Sequence, residues 1–286
     1  MEWDAEKYEN NSQMQFKIGM HAIDLLNPLG SEKVLDIGSG TGALDLLIAQ
    51  KLESGTIVGV DPDSSMIAFA RQAAEQNDVT NFSAIQASAT QLDFHEEFDA
   101  VFSNIAINWI ENVQKLFRVL YAALKPGGRL VIAAIYGDDS ADLATEGSMV
   151  AQVELSVLGK FVDRGFSDIC PAAEFQAHVA KQGVSRNTHH QLKFLQRALT
   201  KAGFYDIQLD AQQVWNEFET LDAFMDSREA ASWLEILYMF PANYRENARL
   251  RLRDLLRAEW EEVPADQRED PIREMWPVVF IQARKE

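Results

Sequence analysis

Cysteine is almost missing from these 286 residues, with Cys170 standing alone. One thiol builds neither a disulfide framework nor a thiolate metal cluster, and a lone cysteine is more often a packing residue than a nucleophile. No compact group of His, Asp or Glu has metal-ligand spacing either, so no metal is expected. Positive charge is in short supply: 26 Lys and Arg face 44 Asp and Glu, for a formal net charge of −18. A field of that sign repels polyphosphate and anionic lipid, which argues against nucleic acid and membrane as partners. No stretch approaches the roughly 20 apolar residues that cross a bilayer. The opening Met-Glu-Trp-Asp-Ala-Glu-Lys has no apolar signal core, so a cytoplasmic location is expected. What remains is ordinary for a globular chain, 47% hydrophobic and 24% charged. The length suffices for one large domain, or a domain with a lid.

Local patterns alternate. Residues 3 to 27 read as one helix, with Ile18, Ala22, Leu25 and Leu26 as its apolar stripe and Asn27-Pro28 as its end. Strands are expected at Lys33–Ile37, Thr56–Val60, Phe82–Ala87, Phe98–Ser103 and Arg129–Ile135. Helices fall between them at about 43–52, 66–76 and 113–124. Such alternation implies right-handed βαβ crossovers and a parallel sheet covered on both faces. The second half is less regular. Residues 137–188 show no clear strand. A helix is expected at 190–201, a strand at Tyr205–Val214, a long helical stretch at 220–262 and a last strand at Trp276–Ala283.

One turn carries chemistry. Asp36-Ile37-Gly38-Ser39-Gly40-Thr41-Gly42 follows a strand and opens a helix. Glycine is needed where backbone takes unusual dihedrals or lies against a ligand, and the N–H groups at a helix start face that ligand. Asp61 ends the next strand, where a carboxylate accepts bonds from both ribose hydroxyls of a nucleotide. Gly38, Gly40 and Ala43 also satisfy the dinucleotide fingerprint, so spacing leaves a nicotinamide-dependent oxidoreductase open.

Longer segments separate the two. Val34 to Gly42 (VLDIGSGTG) resembles the first motif of class I S-adenosylmethionine-dependent methyltransferases. Gly59 to Met66 (GVDPDSSM), Phe98 to Asn104 (FDAVFSN) and Leu124 to Ile132 (LKPGGRLVI) resemble later motifs, in order. The resemblance covers residues 34–135. It implies a Rossmann-like doubly wound α/β sheet of seven strands, the last antiparallel. It implies S-adenosyl-L-methionine as cofactor and S-adenosyl-L-homocysteine as product. Asp36 would then lie near the methionine part, Gly38 and Gly40 would pass under the ligand with Ser39 also at the cofactor, Asp61 would hold the ribose, and Pro62 and Met66 would flank the adenine. In the family's third-strand motif an acid binds the adenine amine; here Ser88 and Ala89 occupy that place.

A finer likeness concerns Tyr8, Gln15 and the run Ser103-Asn104-Ile105-Ala106-Ile107-Asn108-Trp109. The combination is similar to trans-aconitate, malonyl-carrier-protein and juvenile hormone acid methyltransferases, all of which esterify carboxylates. It implies that Gln15 reaches the cofactor's methionine end or the substrate, that Asn104 reaches the cofactor, and that Tyr8, Asn108 and Trp109 line the acceptor pocket. Asn108 departs from the His or Gln that those relatives mostly carry.

A carboxylate acceptor is ionised at neutral pH and needs no general base, whereas an alcohol or amine usually does. His21, His95, His178, His189 and His190 all sit outside the motifs, so no catalytic base is assigned. The acceptor is expected to be a small molecule, most readily a carboxylic acid. N- or O-methylation of another metabolite and a catalytically silent cofactor-binding module stay open, as does the oligomeric state. The expected organisation is a Rossmann-like domain at 1–136 and 189–286, with a lid insertion at 137–188 and a second helical insertion at about 220–263. Such a lid would exclude water and choose the substrate.

Overall fold

The computed structural model describes residues 3–137, 149–163, 168–181, 190–230 and 233–286. The chain divides into two compact units. One, the sheet unit, comprises residues 2–138, 187–214 and 277–286; the other, the helical unit, comprises 139–186 and 215–276.

The sheet unit opens with α1 (Ala5–Asn11) and α2 (Gln13–Leu26). Strands and helices then alternate as the sequence pattern predicts: β1 (Lys33–Ile37), α3 (Ala43–Lys51), β2 (Thr56–Asp61), α4 (Ser64–Gln76), β3 (Phe82–Gln86), β4 (Phe98–Asn104), α5 (Val113–Ala123) and β5 (Leu124–Ile135). After the helical α8 (Leu192–Ala202) come β6 (Tyr205–Phe218) and, last in the chain, β7 (Ile272–Arg284). The seven strands run in the order β3-β2-β1-β4-β5-β7-β6. β1 to β5 are parallel neighbours, while β7 lies antiparallel to β5 with Ile132 opposite Ile281.

Side chains alternate across a strand, and the two sheet faces bury different partners. Leu35, Ile37, Val101, Leu130 and Ile132 pack with the stripe Val113, Leu116, Phe117 and Leu120 of α5 and with Leu195 and Leu199 of α8. Burying each such side chain contributes about 1.5–3 kcal/mol relative to exposure. The opposite face meets α2, whose His21 ring stands edge-on to Phe280 at 4.6 Å.

The helix read as continuous from 3 to 27 is broken at Ser12, which sits at φ −97°, ψ 28° between α1 and α2. Asn10, Asn11 and Ser12 are poor helix formers whose side chains compete for backbone partners, and Asn11 Nδ2 does donate to the Lys7 carbonyl at 2.8 Å. Residues 137–188, read as an insertion without a clear strand, contain the helices α6 (Met149–Asp163) and α7 (Ala172–Lys181). The stretch 220–262 is likewise several pieces: α9 (Leu221–Ala230), α10 (Leu234–Tyr238) and α11 (Arg245–Glu262), with Pro241 unable to continue a helix between the last two.

The helical unit has its own apolar core. Trp233, Phe224, Phe240, Leu252 and Leu256 are buried in it, together with Val150 and Val157 of α6. Cys170 belongs to this core as a free, buried thiol, its acidity weakened by burial and by Glu174. A chain of buried polar groups crosses the same unit. Trp233 Nε1 donates to Glu154 Oε1 at 2.6 Å, and Arg228 bridges Glu154 Oε2 at 2.7 Å and Glu274 Oε1 at 2.6 Å. Trp276 Nε1 completes the set by donating to Glu274.

Candidate active site

The motifs meet at the carboxyl ends of β1, β2 and β4. Gly38 and Ser39 both donate N–H bonds to the Val60 carbonyl, at 2.7 and 3.1 Å, which pins the glycine turn to β2. Gly40 donates to Asp61 Oδ2 at 3.2 Å, and Asp63 donates its N–H to Asp61 Oδ1 at 2.9 Å. Burial raises the Asp61 carboxyl above its ordinary value, against those two N–H bonds. Asp63 caps α4 by accepting from the N–H groups of Ser65 and Met66, an N-cap legible in the Asp-Ser-Ser-Met run.

Two glycines in the turn serve different ends. Gly38 has φ +76°, and a Cβ there would stand 2.2 Å from the Ala106 Cβ. Gly40 has φ +53°, and a Cβ there would meet nothing within 4 Å. The first glycine lets two loops close on each other, while the second faces open space above the turn. Gly38→Ala is therefore expected to cost about 2–3 kcal/mol, roughly 1 from the left-handed backbone and about 1–2 from the clash. Urea unfolding measures it; a loss below about 0.5 kcal/mol would mean that the Ala106 loop simply moves aside.

Around this space sit buried acceptors without donors. Asp36 Oδ1, Gln15 Oε1 and Asn104 Oδ1 find no partner among the described residues, and neither does the Ser39 hydroxyl. Asn104 ties α2 to β4 by donating from Nδ2 to the Gln15 carbonyl at 2.9 Å. Burial, with Asp61 nearby, pushes the Asp36 carboxyl up to about 7, although a hydrogen bond from Asp45 lowers it. A set rich in acceptors and short of donors suits a ligand that brings N–H groups and positive charge.

The N-terminal segment adds aromatic rings. Trp3 stands edge-on to Tyr8 at 5.5 Å and to Trp109 at 5.4 Å. The Trp3 N–H donates to Asp63 Oδ2 at 3.1 Å, and its carbonyl accepts from the Ser65 hydroxyl at 2.7 Å. Thr41 donates its hydroxyl to Glu9 Oε2 at 2.5 Å, so α1 also grips the glycine turn. Burial, then Asp61 and Glu9, raise the Tyr8 phenol well above its ordinary value. It is a proton holder, not a base.

The remaining expected residues are placed as follows. Met66 is buried at the start of α4, and Gln86 Nε2 donates to the Pro62 carbonyl at 3.1 Å. The Ser88 hydroxyl lies 3.3 Å from that of Thr90, with Ala89 buried beside it. Asn108 is buried and bonds the backbone of Ile135 twice, Nδ2 to the carbonyl at 2.7 Å and Oδ1 from the N–H at 3.0 Å. The side chains of Lys160, Phe161, Arg164, Phe166, Lys181 and Arg186, the cations and rings that the expected lid insertion could offer an acidic acceptor, lie outside the described residues. No group of His, Cys, Asp and Glu among the described residues has the arrangement to hold a metal ion.

Sequence reading missed Trp3, Glu9, Thr41 and Asp45. Trp3 and Glu9 gave no local signal, because their hydrogen-bond partners Asp63, Ser65 and Thr41 lie 32 to 62 residues away. Asp45 did give one: a single acid inside Ala-Leu-Asp-Leu-Leu-Ile-Ala.

Comparisons with known proteins follow this geometry. Residues 30–158 match a family described as a methyltransferase domain. A putative methyltransferase, 235L, of Invertebrate iridescent virus 6 is 30% identical over 132 residues, 46% of this chain and 48% of that protein. A malonyl-[acyl-carrier protein] O-methyltransferase of Xylella fastidiosa (strain M23) is 26% identical over 140 residues, 48% of this chain and 46% of that protein. The chain thus spans about half the length of these curated relatives. Among solved structures, phosphoethanolamine N-methyltransferase 2 of Haemonchus contortus, in complex with phosphomonomethylethanolamine and S-adenosylhomocysteine, superposes with a TM-score of 0.54. It is 20% identical, over 94% of this chain and 52% of that one, a likeness in fold. The antiparallel β7 between β5 and β6 departs from the 3-2-1-4-5-6 order of dinucleotide-binding sheets.

Proposed function

We propose that this chain, whose residues 30–158 match a methyltransferase-domain family, is a methyltransferase that binds S-adenosylmethionine at the β1–β2–β4 crevice and methylates a small carboxylic acid. The observation that carries the cofactor is the donor-poor cradle: Gly40 facing open space, with Asp36, Gln15 and Asn104 presenting unpartnered oxygens.

When bound, S-adenosylmethionine supplies a sulfonium methyl carbon, an electrophile that needs no further activation. Asp61 accepts from the ribose hydroxyls, with the Gly40 and Asp63 N–H bonds holding its carboxylate in place. Asp36 and the Gln15 and Asn104 amide oxygens receive the ammonium end. Pro62, Met66, Ser88 and Ala89 flank the adenine. Trp3, Tyr8 and Trp109 form an aromatic cluster on the acceptor side that excludes water.

The acceptor class rests on what the site does not need. Tyr8 is held protonated by burial and two nearby acids, and His21 packs on Phe280. A carboxylate arrives already ionised, so positioning alone serves it. The malonyl-carrier-protein relative points the same way.

Thermal unfolding with S-adenosylmethionine, S-adenosylhomocysteine and NADH tests the cofactor. At 100 times Kd a ligand adds about 2.7 kcal/mol, a rise of roughly 5–10 °C for a chain of this size. A rise with NADH alone would overturn the reading. Release of S-adenosylhomocysteine across carboxylic acids, phenols and amines then tests the acceptor. Carboxylates should turn over with a kcat, at saturating cofactor, that stays flat from about pH 6 to 9. A kcat that climbs with pH on a phenol or amine would replace the carboxylate.

A further inference from the structure

Beneath the glycine turn lies an acid that no cofactor contact uses. Asp45, in the first turn of α3, is fully buried, and among the described residues no other residue's backbone N–H and no hydroxyl, amide or cationic side chain donates to its carboxylate oxygens. Its Oδ1 stands 3.0 Å from where a Cβ on Gly59 would be, and the Ser39 hydroxyl 2.9 Å from the same point, so only glycine at position 59 leaves room for both. Its one strong side-chain neighbour is Asp36, to which it is hydrogen-bonded. Two carboxyl groups bond each other only through a shared proton. Two bare carboxylates in contact, in so dry a place, would each lose hydration and repel.

The proton belongs on Asp45. Each acid has one backbone N–H to support a negative charge, that of Ile37 for Asp36 and its own for Asp45, but Asp36 keeps 3% exposure near the carboxyl end of β1, whereas Asp45 is 0% exposed and sealed against Gly59. The charges acting on the pair are all negative: each acid on the other, from β1 and α3, and Asp61 from β2. Burial and these neighbours drive Asp45 well above the ordinary carboxyl range.

We propose that Asp45 is a positioning residue: a carboxylic acid that keeps its proton, donates it in a hydrogen bond to Asp36, and so leaves Asp36 as the anion offered to the ammonium of an adenosyl amino-acid cofactor. This role rests on the cofactor reading above. It makes binding sensitive to pH. Asp36 titrates near neutrality, so affinity for a cationic ligand rises as pH passes upward through about 7, and binding below that value releases a proton.

The test uses S-adenosylhomocysteine, which has the ammonium and no sulfonium, titrated calorimetrically from pH 6 to 8.5 into wild type, Asp45→Asn and Asp45→Leu. Asparagine keeps a donor toward Asp36, so its Kd should follow wild type within about threefold at every pH. Leucine fills the space without a donor. It should move the midpoint of the profile up by about one unit and weaken binding at neutral pH about tenfold. An Asp45→Asn profile shifted downward would show that Asp45 is an anion, and an Asp45→Leu profile superposed on wild type would leave it a packing role; either overturns the proposal. Ligand-free protein gives an independent arm. At pH 8 wild type should show the infrared carbonyl band of a protonated carboxylic acid, and Asp45→Asn should lose it; a missing band in wild type overturns the proposal without any ligand. If the band is present and S-adenosylhomocysteine does not bind, the cofactor reading fails, and the positioning role with it, while the buried proton stands.

Discussion

Arg228→Met is expected to destabilise the protein by about 3–5 kcal/mol, because it strands two carboxylates that water cannot reach. Arg228 lies between Glu154 and Glu274, whose side chains are 8% and 2% exposed. Methionine fills much of the same volume, so the loss reports charge more than a cavity. The sign of its pH dependence is fixed by Glu274. Burial already raises that carboxyl above 4.5, against the attraction of Arg228. A raised carboxyl favours the folded state at low pH and loses that contribution as pH climbs from its unfolded value toward its folded one. Without the arginine the folded value rises further. The gap between variant and wild type should therefore be smaller at pH 5 than at pH 8. Urea unfolding at the two values checks it, and a gap independent of pH would mean that the glutamates find other partners.

Asp61→Ala should weaken S-adenosylhomocysteine binding by about 100-fold or more. Two hydrogen bonds to a charged carboxylate are worth about 1.5–3 kcal/mol each, and roughly 2.7 kcal/mol is already 100-fold. The same carboxylate accepts from Gly40 and Asp63, so its loss also frees the glycine turn that must lie against the ligand. Asp61→Asn should fall between, since an amide still offers one acceptor. Calorimetric titration decides it. An alanine variant within threefold of wild type would remove Asp61 from the ribose and with it the reading of the β2 end.

The two variants probe regions of very different legibility. Strand β1, the glycine turn and Asp61 are contiguous in sequence, each element announcing the next by period and by punctuation, and the structure places them where the pattern puts them. The same held for Asn104 at the end of β4. Asp45 was legible only as an oddity, because an acid in a short helix is ordinarily solvated; its burial comes from Gly59, on another strand. Trp3 and Glu9 could not be read at all, since their partners are supplied by β2, α4 and the glycine turn. The break at Ser12 reflects local propensity, since the apolar stripe from Ile18 to Leu26 lies wholly on its carboxyl side. In the charge-rich stretch from 220 to 262, the pattern announces helices α9 and α11 but not their ion pairs. There Arg253 reaches Asp222, Asp226 and Glu229, and Arg228 meets residues 74 and 46 positions away. Ion pairs of that range leave no periodic trace.

Strand order also sets a timetable for synthesis. β6 is made before β7, yet in the finished sheet β7 separates it from β5. Between the end of β6 at Phe218 and the start of β7 at Ile272, the ribosome must deliver α9, α10 and α11. Throughout that interval β5 has one bare edge and β6 has no neighbour at all. The nascent chain can complete five parallel strands early, as domains tend to fold from the amino end, but its sixth must wait for its seventh. That waiting strand, rather than the finished sheet, is where chaperone capture or mispairing between nascent chains would act.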